Sequence, residues 1–187
     1  MRKNLWFLRG RSLVLVATPK PKNIERAIEE LGDALYSRDP EVIVQQCTRK
    51  YSTICVYSRA LAPREAFREV VQYPPAYIER VIPAEYHAYA TYVDLALTVG
   101  KALREIPGLR EIGLELHIRS RLNSAILKKI LSRVIHKYGL RIRYRASKYI
   151  IVETIGHMAV ISIVDRKHDR LSFWRSIALS KGLYEPH

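Results

Sequence analysis

Between Leu116 and Val152 the chain runs for 37 residues without one Asp or Glu, yet it carries ten Lys and Arg there. The cations are Arg119, Arg121, Lys128, Lys129, Arg133, Lys137, Arg141, Arg143, Arg145 and Lys148, with His117 and His136 among them. Apolar residues recur between the charges with regular periods. Leu114, Leu116 and Ile118 alternate with Glu115, His117 and Arg119, the period of a strand buried on one face. Ile126, Leu127, Ile130, Leu131, Val134, Ile135 and Tyr138 cover about half of a helix at roughly 100° per residue, and Lys128, Lys129, Arg133, His136 and Lys137 fill the rest. Leu140, Ile142 and Tyr144 then alternate with Arg141, Arg143 and Arg145. A basic tail without structure has no such periods. The stretch is expected to fold as strand, helix and strand, with its cations outward.

The surrounding charge sharpens this reading. Net charge is +14. Residues 1–22 contribute six cations (Arg2, Lys3, Arg9, Arg11, Lys20, Lys22) and no acid, while everything outside these two segments holds 16 basic and 18 acidic residues, a sum of −2. Excess charge so localised fits a face for a polyanion better than general solubility. Any one cation is as well explained as a solvated charge paired with an acid from elsewhere. For the whole stretch that explanation weakens, because no acid lies within it. The N-terminal cations either extend the basic track or form a tail.

Nucleic acid and an anionic membrane are the candidate polyanions. No apolar run approaches the length of a spanning helix, and the Leu5–Leu8 patch is too short for the core of a signal peptide. No helix pairs its cations with a strongly exposed apolar face either. A soluble cytoplasmic protein with no membrane partner is expected.

With 187 residues the chain has room for one domain or two small ones. Ser12–Thr18 reads as a central strand, and Pro19 and Pro21 end it. Asn23 suits the cap of a helix whose apolar stripe is Ile24, Ala27, Ile28, Leu31 and Leu35. Strands over 42–48 and 53–58, joined at Arg49–Ser52, follow Asp39-Pro40. Pro63 opens a second helix, Tyr73-Pro74-Pro75 stops it, and Tyr77–Ile82 supplies a fourth strand. The order β-α-β-β-α-β is the ferredoxin-like plan. An α+β chain is expected, with a ferredoxin-like domain and basic arm over 1–85 and a small α/β domain over 86–165. In that second domain a helix from Tyr92 precedes the strand, helix and strand of the basic stretch. An apolar pair, Tyr149–Ile155 and Met158–Val164, hinges at Gly156-His157 and closes it. Residues 166–187 form a tail or helix, with Leu171, Trp174, Ile177 and Ala178 on one side, which either docks on the core or serves a partner.

Chemistry is hard to place in this chain. The eight glycines never fall closer than five residues apart, so neither a glycine-rich nucleotide turn nor a P-loop is present. The six histidines make no H-x-x-x-H pair, C-x-x-C does not occur, and the one Ser-x-Gly triplet, Ser180-Lys181-Gly182, lacks the leading glycine of a G-x-S-x-G elbow. No catalytic residue, metal site or cofactor is expected. Cys47 and Cys55, the two cysteines, flank Tyr51 symmetrically. They read as two small buried thiols, with a disulfide across the hairpin as the alternative. Asn, Gln, Met and Cys total only ten residues against 21 Arg, a bias of thermophilic proteins, in which cytosolic disulfides are less unusual.

The second half resembles a THUMP domain, the RNA-binding module of several tRNA-modification proteins. The matching features are the leading helix (92–106), the strand ending in arginines (LHIRSR, 116–121), the serine-capped helix (NSAILKKILSRVI, 123–135), a strand and an apolar hairpin. A ferredoxin-like domain just before it is typical of the family. The joint YIERVIPAE (77–85) is similar to the R-x-x-P stretch of the stand-alone adaptor of tRNA cytidine acetyltransferase. Where many members carry Pro-Asp before the last hairpin, this chain has Ala146-Ser147-Lys148-Tyr149. The resemblance implies binding of structured tRNA, often at the acceptor end, with the chemistry supplied by another domain or a separate modifying enzyme.

Together these features predict a non-enzymatic tRNA-binding protein. Arg141, Arg143 and Arg145 would share one sheet face, Arg133 and Lys137 the helix beside it, and Arg119 and Arg121 the approach to that helix, whose N-terminal amides also suit a phosphate. The three groups would frame one groove. The alternative is a protein-interaction adaptor that docks an enzyme through its acidic first domain and the Trp174 tail, with RNA contact secondary.

Overall fold

The computed structural model describes residues 7–181 of the chain, so Arg2, Lys3, Gly182, His187 and the first part of the Leu5–Leu8 patch lie outside the described residues. The protein is α+β and divides into two compact units. Of the described residues, one unit takes 7–84 together with 167–181, and the other takes Glu85–Arg166.

In the first unit β1 (Phe7–Leu8) and β2 (Arg11–Pro19) are joined by Arg9-Gly10, both at positive φ (49° and 75°), the geometry of a tight primed hairpin turn. Then come α1 (Ile24–Tyr36), β3 (Ile43–Thr48), β4 (Tyr51–Ser58), α2 (Pro63–Gln72) and β5 (Ile78–Pro83). β4 lies between β3 and β2, and β5 pairs with β2 on its other side, antiparallel throughout. This is the ferredoxin-like arrangement. Ala27, Leu31 and Leu35 of α1 and Ala66 and Val70 of α2 pack with Val14, Ala17, Ile54, Val56 and Val81 of the sheet. Asn23 does not cap α1. Its Nδ2 donates instead to the Pro21 carbonyl at 2.9 Å.

The β3–β4 hairpin holds a disulfide between Cys47 and Cys55, with Cα atoms 5.0 Å apart, so the reading as two free thiols is corrected. The turn falls at Arg49-Lys50 rather than around Tyr51, so Cys55 stands opposite Gln45, and Cys47, two residues further along β3, meets it on the diagonal. The C-terminal helix α5 (Leu171–Ser180) belongs to this unit. Leu171 is fully buried in its core and Trp174 packs beside it, the indole donating to the His168 carbonyl at 2.7 Å. Just before α5, Asp169 takes the buried Arg80 guanidinium at 2.7 Å, and its carbonyl accepts from Val81. Arg175 donates to the carbonyls of Ala76 and Ile78. The tail therefore docks, and Trp174 is committed to the core.

The second unit comprises β6 (Tyr86–Tyr89), α3 (Tyr92–Arg104), β7 (Glu111–Arg119), α4 (Ser124–Lys137), β8 (Arg141–Ile142), β9 (Lys148–Ile155) and β10 (Met158–Asp165). The sheet order is β6-β10-β9-β7-β8, with β7 parallel to both β8 and β9 and the other pairs antiparallel. β6, a strand that the sequence reading lacks, is a short edge built on β10. One sheet face (Ile150, Val152, Ala159, Ile161, with Leu114 and Leu116) packs with Leu95 and Val99 of α3 and Leu127, Leu131 and Ile135 of α4. At Gly113 a Cβ would stand 2.5 Å from the Tyr149 ring, so only glycine fits there without repacking.

The expected strand over 140–145 is cut to Arg141–Ile142. β8 and β9 flank β7 on opposite edges, so the chain must leave the sheet between them to cross over. It does so in a turn at Arg143–Ala146, in which the Ala146 amide donates to the Arg143 carbonyl at 3.3 Å and Ala146 is buried. Arg141, Arg143 and Arg145 therefore do not line one sheet face, and Tyr144, placed inward by the alternation, is 83% exposed.

Candidate nucleic-acid interface

The basic stretch owes its shape to α4. Asn123 caps it, its Oδ1 accepting from the amides of Ala125 and Ile126 at 2.9 and 3.1 Å. Those two amides are thereby satisfied, which removes them as a seat for a phosphate. At the far end the Gly139 amide donates to the His136 carbonyl and the Leu140 amide to that of Ile135, a Schellman stop with Gly139 at φ 76°. Leu127, Leu131 and Ile135 face the core, and Lys128, Lys129, Arg133 and Lys137 are exposed on the other side. Lys129, Arg133 and Lys137 recur every four residues, about 6 Å apart along the axis.

The three predicted groups do not frame one groove. Arg121 precedes α4 and Arg141 follows it, and the 14 residues of the helix put about 21 Å between its ends. What results is a track running from Arg121 along the outer face of α4 to Arg141 in β8 and to Arg143 and Arg145 in the turn after it, all of them exposed.

At the C-terminal end of α4 the track meets an open cleft of about 420 Å³, lined by Arg110, Glu111, Gly139, Arg141 and Arg143. Parallel pairing of β8 with β7 makes it: the Arg141 amide donates to the Arg110 carbonyl and the Arg143 amide to that of Ile112, each at 3.0 Å. Arg110 lies outside the acid-free stretch, and no local pattern joins it to Arg141 thirty-one positions on. Nearby, Arg104 Nη1 donates to the Tyr138 hydroxyl at 3.1 Å. Three guanidinium groups against one carboxylate make the cleft suited to a phosphate, which arginine can grip through two donors at once.

Two predicted members of the track are engaged by acids, contrary to the expectation that no acid is at hand. Arg119 forms an ion pair with the fully buried Glu153, because β7 and β9 run in parallel register (His117 opposite Glu153, Arg119 opposite Ile155). Lys148 meets Asp165, its cross-strand neighbour, at 2.7 Å. Glu153 follows the stretch directly in sequence, Asp165 comes thirteen residues after its end, and both lie beside it in the sheet. Of the N-terminal cations, Arg11 is tied to Glu41 at 2.6 Å, whereas Lys20 and Lys22 are exposed.

Among the described residues, no group of three or more His, Cys, Asp or Glu side chains is placed to hold a metal ion. No helix among them is long and apolar enough to cross a membrane.

No protein-family model matches the sequence, and no curated protein matches it. Among solved structures, the fold is similar to PH1313 from Pyrococcus horikoshii Ot3, with a TM-score of 0.61 and 17% identity over 81% of this chain and 54% of that one. It is similar to TrmN from Thermus thermophilus, with a TM-score of 0.57 and 17% identity over 91% of this chain and 50% of that one. A 4-thiouridine synthetase, solved in complex with RNA and ATP, aligns with a TM-score of 0.50 and 10% identity over 82% of this chain and 41% of that one. This chain spans about half the length of the first two structures and less of the third, and the likeness at these identities is one of fold.

Proposed function

We propose that this chain binds structured RNA, with tRNA as its substrate, through the second unit, and presents it for chemistry carried out by another polypeptide or domain. The observation that carries this reading is the continuous exposed track of Arg121, Lys128, Lys129, Arg133, Lys137, Arg141, Arg143 and Arg145, which ends in the Arg110 cleft. Such a surface neutralises phosphates and releases their counterions, which gives affinity without sequence readout. The similarity in sequence to THUMP domains and the shared fold with a 4-thiouridine synthetase solved with RNA both support the choice of ligand. Within this reading the protein acts as a non-catalytic partner of a tRNA-modifying enzyme, and the YIERVIPAE joint makes cytidine acetylation the first modification to examine.

Crosslinking in cells followed by sequencing of the bound RNA tests the proposal. Enrichment of tRNA is the expected result, and recovery of no RNA above background contradicts it.

A further inference from the structure

Tyr144 has the highest fractional exposure among the described large hydrophobic residues, at 83%. It stands between Arg143, which lines the cleft, and Arg145. A lone exposed tyrosine is ordinary on a protein surface. This one is held in place.

Its carbonyl accepts from the Tyr149 hydroxyl, the turn closes from the Ala146 amide to the Arg143 carbonyl, and Ala146 is buried beneath it. The Arg166 amide donates to the Ser147 carbonyl at 2.7 Å, and the Arg166 guanidinium lies 5.8 Å from the centre of the Tyr144 ring. One side of the ring thus carries a cation, and its exposure leaves the rest to solvent. Little in the backbone needs to be ordered when a ligand arrives.

We propose that Tyr144 is a stacking platform for an unpaired RNA base, whose phosphates are taken by Arg143 and the cleft beside it. The proposal rests on the RNA reading above and adds a subsite to it. Aromatic side chains receive splayed bases by stacking, and a guanidinium at the ring strengthens such a platform. Cations alone make a surface for duplex backbone. A presented ring among them makes a surface that distinguishes an unpaired end from a paired one.

The test uses the full chain and two RNAs, a blunt duplex and the same duplex with a short single-stranded extension, with affinity measured across a range of salt. Tyr144→Ala is expected to weaken binding of the extended RNA by roughly five- to 150-fold, to leave the blunt duplex unchanged and to keep the salt slope. Tyr144→Phe should retain the wild-type preference. Arg143→Ser, in contrast, should lower the slope by about one unit on both RNAs. A Tyr144→Ala protein with an unchanged melting profile that binds both RNAs like the wild type overturns the platform but leaves the RNA reading intact. Equal weakening on both RNAs also overturns it. Absence of salt-dependent binding by the wild type to either RNA overturns both.

Discussion

Arg119 shows how the same residue type serves two ends within one basic stretch. Its guanidinium meets a carboxylate that is fully buried, so removing it strips the buried Glu153 of its cation. Arg119→Met is expected to lower unfolding stability by about 3 kcal/mol, while Arg119→Met combined with Glu153→Leu should recover much of that loss. Urea denaturation of the two variants checks this, and a neutral single substitution contradicts it. Lys148 and Asp165 are both substantially exposed, so their pair contributes about 0–1 kcal/mol and leaves Lys148 free to exchange partners. A second buried carboxyl, Asp39, links the end of α1 to β4. Burial pushes its pKa up, but the Ser58 hydroxyl at 2.6 Å and the amides of Glu41, Arg59 and Ala60 outweigh burial and hold it below the usual carboxylate range. A depressed carboxyl stabilises the fold above its unfolded pKa, near roughly pH 4, and the contribution is lost as pH falls through the folded value. Asp39→Asn should therefore flatten the acid limb of the stability profile below about pH 4. An unchanged acid limb would rule out this role.

At the scale of elements, the β3–β4 hairpin is locked by its disulfide. Loop closure over eight positions suggests a contribution of about 2–3 kcal/mol. Thiol titration of the denatured protein should find no free thiol without reductant and two with it, and Cys47→Ser should lower the melting temperature. Finding two thiols without reductant contradicts the pairing. The bond illustrates what sequence patterns can and cannot carry. Alternation and helical stripes placed β2, α1, α2, α4, β9 and β10 to within a few residues, because burial on one face leaves its mark locally. The diagonal contact of Cys47 with Cys55 depends on the register of the hairpin, and the crossing that truncates β8 and the pairing of Arg110 with Arg141 depend on strands far apart in sequence. So does the approach of Glu153 to Arg119. Alternation at Leu140–Arg145 continues past the point at which the chain leaves the sheet, and so it misplaced Tyr144.

For the whole molecule, the first unit is assembled from two distant segments of chain, with α5 completing the core begun by α1 and α2. Leu171→Ala should cost about 2–5 kcal/mol, a core-residue loss rather than that of a tail, and a change within experimental error would return α5 to the role of a partner-binding appendage. The second unit carries its charge without interruption along α4, and this geometry makes a quantitative demand. If about six phosphates are neutralised, the logarithm of tRNA affinity must fall against log salt with a slope of roughly −4 to −5. The decisive measurement is that slope for the wild type and for the variant in which Arg141, Arg143 and Arg145 are all changed to Ser. The account predicts a steep wild-type slope, reduced by about one unit for each lost contact in the variant. A flat wild-type slope, or a variant that binds tRNA like the wild type, contradicts it.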